Sequence, residues 1–581
     1  MMSSHCNLPN IISTEHGDIF TQLKIPSSNT PSNGIVIFVP AIGTDYNNSY
    51  RSFRALRGLL AEQGIANLTM DYLNTGNSSN GINESNKINS MQHSVESVVN
   101  WAKNYYSIEN IILVGFKFGA TLATIVAEKL GIRNLVIWSP VLKGKNLLRE
   151  IKLLESSSET NHEPSGLLEY SGLSFNEQDE EAISLLDFSQ YELHKSTRVL
   201  AIIDSTSKRL VKILDQWKDD IALDYYSSKE TEHLLVDAHF SKVALETNAA
   251  ILHWIKDTLP QEKSTGLQIP IEGLKSELKV DFNLFETHSF SQNNYFVTVT
   301  NKEKAPSSHP RVIFLNSGSN HQVGPHRLYV TLSRSIAAQG YEVVRLDMPG
   351  LGETPAIVNE TENDSYMPEP TKFLETWYKE TFDDNKPIIL IGLCSGAFHS
   401  FKAVAESQTM PIQGGLLINP LTFYWEEGMS IDDAPSISFG KWNWYKQSMK
   451  DWRRWKKLLS GKVALKPVFN VIKERIASEI ASRKSQSTES EQQEGFIVSK
   501  NVAQSINEIA EKERFLRFIF SNNDPGLDIL MSQAKKAVKA SMKSQRLSIN
   551  VIANADHTFS RAAARKKLDE EVLALLTEKA L

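Results

Sequence analysis

Gly392-Leu393-Cys394-Ser395-Gly396 follows at once on the apolar run Pro387-Ile388-Ile389-Leu390-Ile391, which sets a thiol at the apex of a sharp strand-to-helix turn of the G-x-S-x-G kind. The flanking glycines lack the Cβ atoms that would crowd such a turn, and the helix that begins there turns its positive end on the sulfur, favouring the thiolate. Acyl transfer through a nucleophile also needs a base, a group to orient that base and donors for the oxyanion. His557, expected after the last strand, suits the base. Asp524, in the loop-forming run Ser521-Asn522-Asn523-Asp524-Pro525-Gly526 at a strand end, suits the orienting acid. Asp528 and Asp556 are neighbouring acids that could take its place. The backbone N–H of Ser395 is the expected first oxyanion donor, and the Ser395 hydroxyl, one residue past the apex, is not the nucleophile. The second donor is expected within 317–320, with Ser319 the choice. A lone cysteine after a buried strand is more often a packed, inert residue. What argues for chemistry is the order nucleophile, acid, histidine together with glycines on both sides of the thiol.

The same pattern occurs earlier, where Ile111-Ile112-Leu113-Val114 runs into Gly115-Phe116-Lys117-Phe118-Gly119 with a lysine at the centre. Arg51 and Arg327, Asp71 and Asp347, and Gly76 and Gly352 each stand 276 positions apart, and Lys117 and Cys394 stand 277 apart. A register held that long predicts an internal duplication. Asp237-Ala238-His239 then answers Ala555-Asp556-His557. In the first half Lys117 replaces the nucleophile and Lys208 falls where Asp524 stands, so only His239 survives, with Asp204 as an alternative acid. That half is expected to be catalytically silent.

Strand-like and helical periods alternate through both halves. Strands are expected at 18–25, 34–39, 65–72, 110–114, 134–138 and 198–203, helices at 50–63, 93–105 and 120–130, and the order recurs from 312–315 to 547–552. This alternation predicts mostly parallel sheets flanked by helices, and with the elbow pattern in each half the expected fold class is α/β, two tandem α/β-hydrolase domains each with an inserted cap. The first domain is expected over 1–258 with its cap at about 141–195, and the second over 276–581 with its cap at about 423–512. Pro260, Gly266, Pro270 and Gly273 mark 259–275 as the linker.

The 581 residues exceed what one hydrophobic core organises and suit two such domains. With 41% hydrophobic and 22% charged residues and a net charge of −6, the balance gives no general attraction to nucleic acid or anionic membrane. The two cysteines, Cys6 in a loose N-terminus and Cys394, form no disulfide framework and suit a reducing cytoplasm. No export leader or membrane span is expected. Lys441, Lys446, Lys450, Arg453, Arg454, Lys456 and Lys457 gather with Trp442, Trp444, Trp452 and Trp455 in the second cap, a surface complementary to an acidic carrier protein or phosphate. Met449, Trp452, Trp455 and Leu459 recur at helical spacing, so a buried helix face with a solvated basic side is the plainer account of the same segment.

Several stretches resemble the hydrolases that accompany exosortase A systems. Val323-Gly324-Pro325-His326-Arg327, Asp347-Met348-Pro349-Gly350-Leu351-Gly352, the Cys394 turn and the run from Trp455 to Val463 look like type 1, which carries a cysteine in its turn. Pro40-Ala41, Gly144-Lys145-Asn146-Leu147-Leu148 and Glu169-Tyr170-Ser171-Gly172 look like type 2, whose nucleophile is serine, so Lys117 departs from that pattern. Polyhydroxyalkanoate synthases are similar in using a cysteine in the same turn. Thiolates exchange readily with thioesters, which favours coenzyme A or acyl carrier protein as donor. The expectation is a cofactor-free acyl-transferring or acyl-hydrolysing enzyme working through an acyl-Cys394 intermediate. The alternative is a scaffold of two degenerate domains that docks a carrier protein.

Overall fold

The computed structural model describes residues 5–26, 34–81, 86–106, 108–156, 166–259, 273–291, 293–302, 308–357, 361–425, 429, 502–522 and 524–577. Its first large sheet opens with an antiparallel hairpin of β1 (His5–Thr14) and β2 (Gly17–Pro26), and β2 pairs antiparallel with β4 (Ala66–Met70). β3 (Ile35–Val39), β5 (Ile111–Phe116), β6 (Asn134–Trp138), β9 (Arg198–Ile203) and β10 (Ala222–Ser227) add parallel strands, giving the order β1-β2-β4-β3-β5-β6-β9-β10. The strands of the second sheet are β11 (Glu277–Asp281), β12 (Leu284–Phe290), β13 (Phe296–Lys302), β14 (Arg311–Leu315), β15 (Glu342–Leu346), β16 (Ile388–Leu393), β17 (Ile412–Ile418), β18 (Phe515–Ser521) and β19 (Leu547–Ile552). They run β11-β12-β13-β15-β14-β16-β17-β18-β19. With β11 set aside, the two orders are the same strand for strand, so the expected fold class of two tandem, mostly parallel α/β sheets is what the chain adopts.

The central strands form where the sequence is apolar without alternation. Every residue of β5 and β16 is buried, as strands covered on both faces require. Helices Thr44–Glu62, Lys87–Tyr106 and Phe118–Leu130 follow strands of the first sheet, and Leu328–Ala338, Pro370–Thr381 and Ser395–Glu406 follow strands of the second. The N-terminus is a correction to the sequence reading. Instead of a loose arm, β1 pairs with β2 over ten residues and carries Cys6, which is exposed. Its polar ends had masked the buried Ile11 and Ile12. Within the segment expected as the first cap lie helix Gly144–Ser156, a small hairpin of β7 (Leu168–Tyr170) and β8 (Leu173–Phe175), and helix Glu177–Leu185. Asn176 and Asp179 close that last helix with reciprocal side-chain bonds to backbone N–H groups, a capping box. The expected second cap, with its basic and tryptophan residues, lies outside the described residues except for 423–425, 429 and 502–512.

By packing, the chain divides into two compact units. One comprises Met1–Ser365, Asp384–Leu390 and Ile552–Glu578, and the other Tyr366–Asp383, Ile391–Val551 and Lys579–Leu581. Within the first, the repeat is visible at the level of single bonds. Asp71 accepts the N–H of Asn77 at 2.8 Å, and Asp347 accepts that of Glu353 at 3.0 Å, each six residues on. Gly76 (φ 48°) and Gly352 (φ 52°) stand just before those donors, where a Cβ would overlap the aspartate carboxyl. Burial outweighs these hydrogen bonds and pushes Asp71 up to about 6 and Asp347 to about 7.

The two repeats grip each other through these same turns. Arg54 Nη1 donates to the carbonyls of Gly352 and Thr354 at 2.8 and 2.9 Å. Reciprocally, Arg327 donates to those of Gly76 and Ser78 at 2.9 and 2.6 Å. Arg57 meets Glu353 at 2.9 Å, and Arg345 meets Asn77 Oδ1 at 2.8 Å and Glu286 at 3.0 Å. Phe20 and Phe296, again 276 positions apart, pack with ring centroids 6.1 Å apart. The result is an internal pair in which equivalent turns each accept an arginine from the other half.

Candidate functional site

Cys394 stands at φ 58° and ψ −116°, the left-handed apex between β16 and helix Ser395–Glu406. Its N–H donates to the Ile418 carbonyl at 3.0 Å, and its own carbonyl accepts from Ala397 and Phe398 in the first helical turn. The glycines are needed because a Cβ on Gly392 would overlap the Gly396 backbone. The thiol is half-buried and in no disulfide. Tyr366, a residue that sequence reasoning missed, brings its hydroxyl to 3.7 Å from Sγ. Its ring stacks on Trp425 with centroids 4.3 Å apart and meets Phe398 edge-on. Burial pushes the Tyr366 hydroxyl well above its usual range, and the neighbouring sulfur pushes it the same way. The phenol therefore keeps its proton and can donate it in a hydrogen bond to a thiolate. Next in the chain, the Met367 N–H donates to His399 Nε2 at 3.0 Å, and burial holds His399 down at about 3, in its neutral form. That bond fixes the segment bearing Tyr366.

Asp524 follows β18 and caps helix Pro525–Lys543, its Oδ1 accepting the Gly526 N–H at 2.8 Å. It belongs to the same compact unit as Cys394, whereas His557, in the turn after β19, belongs to the other. Of the competing acids, Asp556 accepts from the backbone and hydroxyl of Ser560, and Asp528 lies in the first turn of the helix that Asp524 caps. Ser395 is fully buried behind the apex.

Ser319 has an engagement that its choice as an oxyanion group did not foresee. Its Oγ lies 3.1 Å from His239 Nδ1 and 2.9 Å from Ser365 Oγ, and Ser365 Oγ lies 3.0 Å from the same nitrogen. Asn363 Nδ2 donates to the Ala238 and His239 carbonyls at 3.0 and 3.3 Å. A Cβ on Gly318 (φ 56°) would come within 2.8 Å of the imidazole. His239 of the first repeat is thus pinned on the loop after β14 of the second. Burial lowers the His239 pKa, Asp237 opposes this and His557 adds to it.

In the first repeat Lys117 takes the same apex, at φ 51° and ψ −122°, and its N–H donates to the Trp138 carbonyl at 2.9 Å. Asp45 and Asp204 both sense its charge. Burial pushes Asp45 up to about 6 against that pull, whereas for Asp204 the bonds from Thr206 and Ser207, aided by Lys117, outweigh burial and lower it. Tyr170 from β7 lies over Gly43, where a Cβ would overlap its ring, and its hydroxyl is 3.1 Å from Thr44 Oγ1. The loop after β3, where an oxyanion donor would sit, is covered by that ring.

Among the described residues no cluster of His, Cys, Asp and Glu could hold a metal ion, and no helix is long and apolar enough to cross a membrane. No family model matches the chain, and no curated protein matches it. Among solved structures it is similar to Est1E of Butyrivibrio proteoclasticus with ferulic acid bound, at 15% identity over 42% of this chain and 98% of that one, TM-score 0.32. A Pyrococcus furiosus esterase aligns at 15% identity over 44% and 92%, TM-score 0.32. An α/β serine hydrolase without lid from Xanthomonas campestris aligns at 14% identity over 45% and 98%, TM-score 0.30. Likenesses of this size carry no argument about activity.

Proposed function

We propose that the protein is an acyl-transferring or acyl-hydrolysing enzyme acting on thioesters or esters, with Cys394 as nucleophile, His557 as base and Asp524 as the group that orients the imidazole. The observation that carries this reading is the left-handed apex at Cys394, where a half-buried sulfur lies 3.7 Å from the Tyr366 hydroxyl. A phenol held protonated beside sulfur stabilises the thiolate, the form that attacks. Chain order supports the other two roles: an acid after β18 and a histidine after β19 follow the nucleophile in the sequence nucleophile, acid, histidine. The resemblance to exosortase-associated hydrolases of the cysteine type points the same way.

In this mechanism the thiolate adds to the acyl carbonyl, and the oxyanion is met by the Ser395 N–H and a donor from 317–320. The carbon–sulfur bond to coenzyme A or to a carrier's phosphopantetheine arm then breaks, the leaving thiolate takes the proton held by His557, and acyl-Cys394 remains. His557 next removes a proton from water or another acceptor. That nucleophile attacks the acyl carbon, and the cysteine leaves, regenerating the thiol.

Intact-protein mass spectrometry after mixing with butyryl-coenzyme A tests this. Wild type and Lys117→Ala are expected to gain one butyryl mass and Cys394→Ala none. Failure of wild type to gain acyl mass with butyryl and longer thioesters, while iodoacetamide reacts no faster with Cys394 than with a free thiol, rejects the enzymatic reading in favour of a scaffold.

A further inference from the structure

The first repeat, whose apex carries Lys117, borders a cavity of about 60 Å³ that the acyl chemistry does not use. At roughly 10–15 Å³ per water-sized sphere this is room for about four to six such groups. Ala41, Ile42 and Leu173 supply apolar wall, while Asn74, His326 and Arg327 supply polar atoms. The wall is tightly built: Gly172, at φ 93°, lies so close that a Cβ would stand 2.6 Å from the His326 carbonyl oxygen.

Three polar residues of the lining keep hydrogen-bonding capacity unused. Asn74 Oδ1 accepts the Gly81 N–H at 3.2 Å, which fixes the amide orientation and leaves Nδ2 buried with no partner. His326 Nε2 lies 3.0 Å from Thr558 Oγ1, and its Nδ1 is buried and equally unpartnered. Because the threonine hydroxyl can donate to Nε2, the neutral ring can present Nδ1–H. Arg327 commits Nε, Nη1 and Nη2 to Gly76 O, Asn80 Oδ1 and Ser78 O, all uncharged, and keeps two of its five N–H groups. The carboxylates that act on it from further off are engaged elsewhere, Glu286 with Arg334 and Arg345, Asp71 with Tyr46 and Asn77. Unused donors on three residues of the lining, one of them a guanidinium whose bonded partners are all uncharged, call for an anionic, planar acceptor, and the apolar wall calls for a hydrocarbon body.

The repeat supplies an internal comparison. The equivalent cavity, lined by Tyr50, Arg51, Ser319 and Gly350, measures about 20 Å³. There glycine stands for Asn74, and the tyrosine that stands for His326 spends its hydroxyl on Glu353 at 2.8 Å. Only the larger cavity joins space to this pair of uncommitted groups.

We propose that the cavity is a binding site for a short-chain carboxylate, its carboxyl group held by Asn74, His326 and Arg327 and its alkyl chain against Ala41, Ile42 and Leu173. It is independent of the Cys394 reading, since none of these residues takes part in it. The test is titration of the full-length protein with propionate at constant ionic strength, followed by saturation-transfer NMR on the propionate methyl group and by calorimetry. Wild type is expected to bind saturably and to prefer propionate to the neutral isostere propionamide. Asn74→Gly, which suits the φ of 66° at this position, is expected to bind about tenfold more weakly, about 1.4 kcal/mol. Ala41→Leu, which fills the space, is expected to abolish binding. Absence of saturable binding to wild type would mean that the cavity holds only water and overturns the proposal. So does equal affinity of wild type and Asn74→Gly, or equal affinity for propionamide.

Discussion

Glu353→Gln probes the internal pair at a buried ion pair between the repeats. Glu353 and Arg57 are each 2% exposed, with Oε1 and Nη1 2.9 Å apart. Gln22 and Tyr50 donate to the same carboxylate at 3.0 and 2.8 Å. Burial alone would push this carboxyl up, but the charges of Arg57, Lys24 and Arg54 outweigh it and hold Glu353 at about 2, against an ordinary 4.5. The gap, 4.5 minus 2 or about 2.5 units, corresponds at about 1.36 kcal/mol per unit to about 3 kcal/mol of stability at neutral pH. That agrees with the roughly 3–5 kcal/mol lost when one partner of a buried ion pair is removed. Because the folded-state value is depressed, the contribution is complete above about pH 4.5 and declines as pH falls from there toward 2. Glutamine keeps the shape and leaves the guanidinium buried without its counter-charge. Urea unfolding followed by tryptophan fluorescence is expected to show a deficit of about 3 kcal/mol at neutral pH, smaller by about 1.4 kcal/mol near pH 3.5, one unit below the ordinary carboxyl value. Arg57→Met combined with Glu353→Leu is expected to recover most of the loss. A deficit below about 1 kcal/mol at neutral pH, or one that stays constant with acidification, refutes the reasoning.

Two further predictions concern the candidate site. Tyr366→Phe removes the hydroxyl beside Sγ, and loss of about one unit of thiolate stabilisation cuts the thiolate fraction about tenfold while raising its intrinsic nucleophilicity about threefold. Alkylation by iodoacetamide near neutral pH is then expected to slow about threefold, with the apparent pKa of its rate profile about one unit higher; an unchanged profile counts against the contact. His239→Asn removes a half-buried imidazole whose folded-state pKa lies below its usual 6.5. A base held neutral in the fold costs stability as pH drops through 6.5, because unfolding then takes up a proton. The wild type is therefore expected to lose urea resistance between about pH 7.5 and 5.5 more steeply than His239→Asn. Parallel slopes would show that the ring does not titrate against folding.

The elbow was legible because its geometry permits few sequences: the close approach of Gly392 to Gly396 and the left-handed apex leave their mark in residue type. β5 and β16 were legible for a related reason, since burial on both faces turns a strand into an unbroken apolar run. β13 was not. Its buried Thr298 and Thr300 bond to His288 and Glu286, so a polar interior concealed the strand from any reading of hydrophobic period. Tyr366 left no trace either, because its value lies in standing 3.7 Å from a sulfur that is 28 residues away along the chain. His239 shows the limit of alignment within a repeat. Its position answers His557, and from that match alone it reads as the remnant of a lost site, yet its imidazole is bonded to Ser319 and Ser365 of the other repeat. A residue at a repeated position can thus take its partners from the other copy. Sequence reports the ancestry of such a residue, and only the folded chain reports its partner.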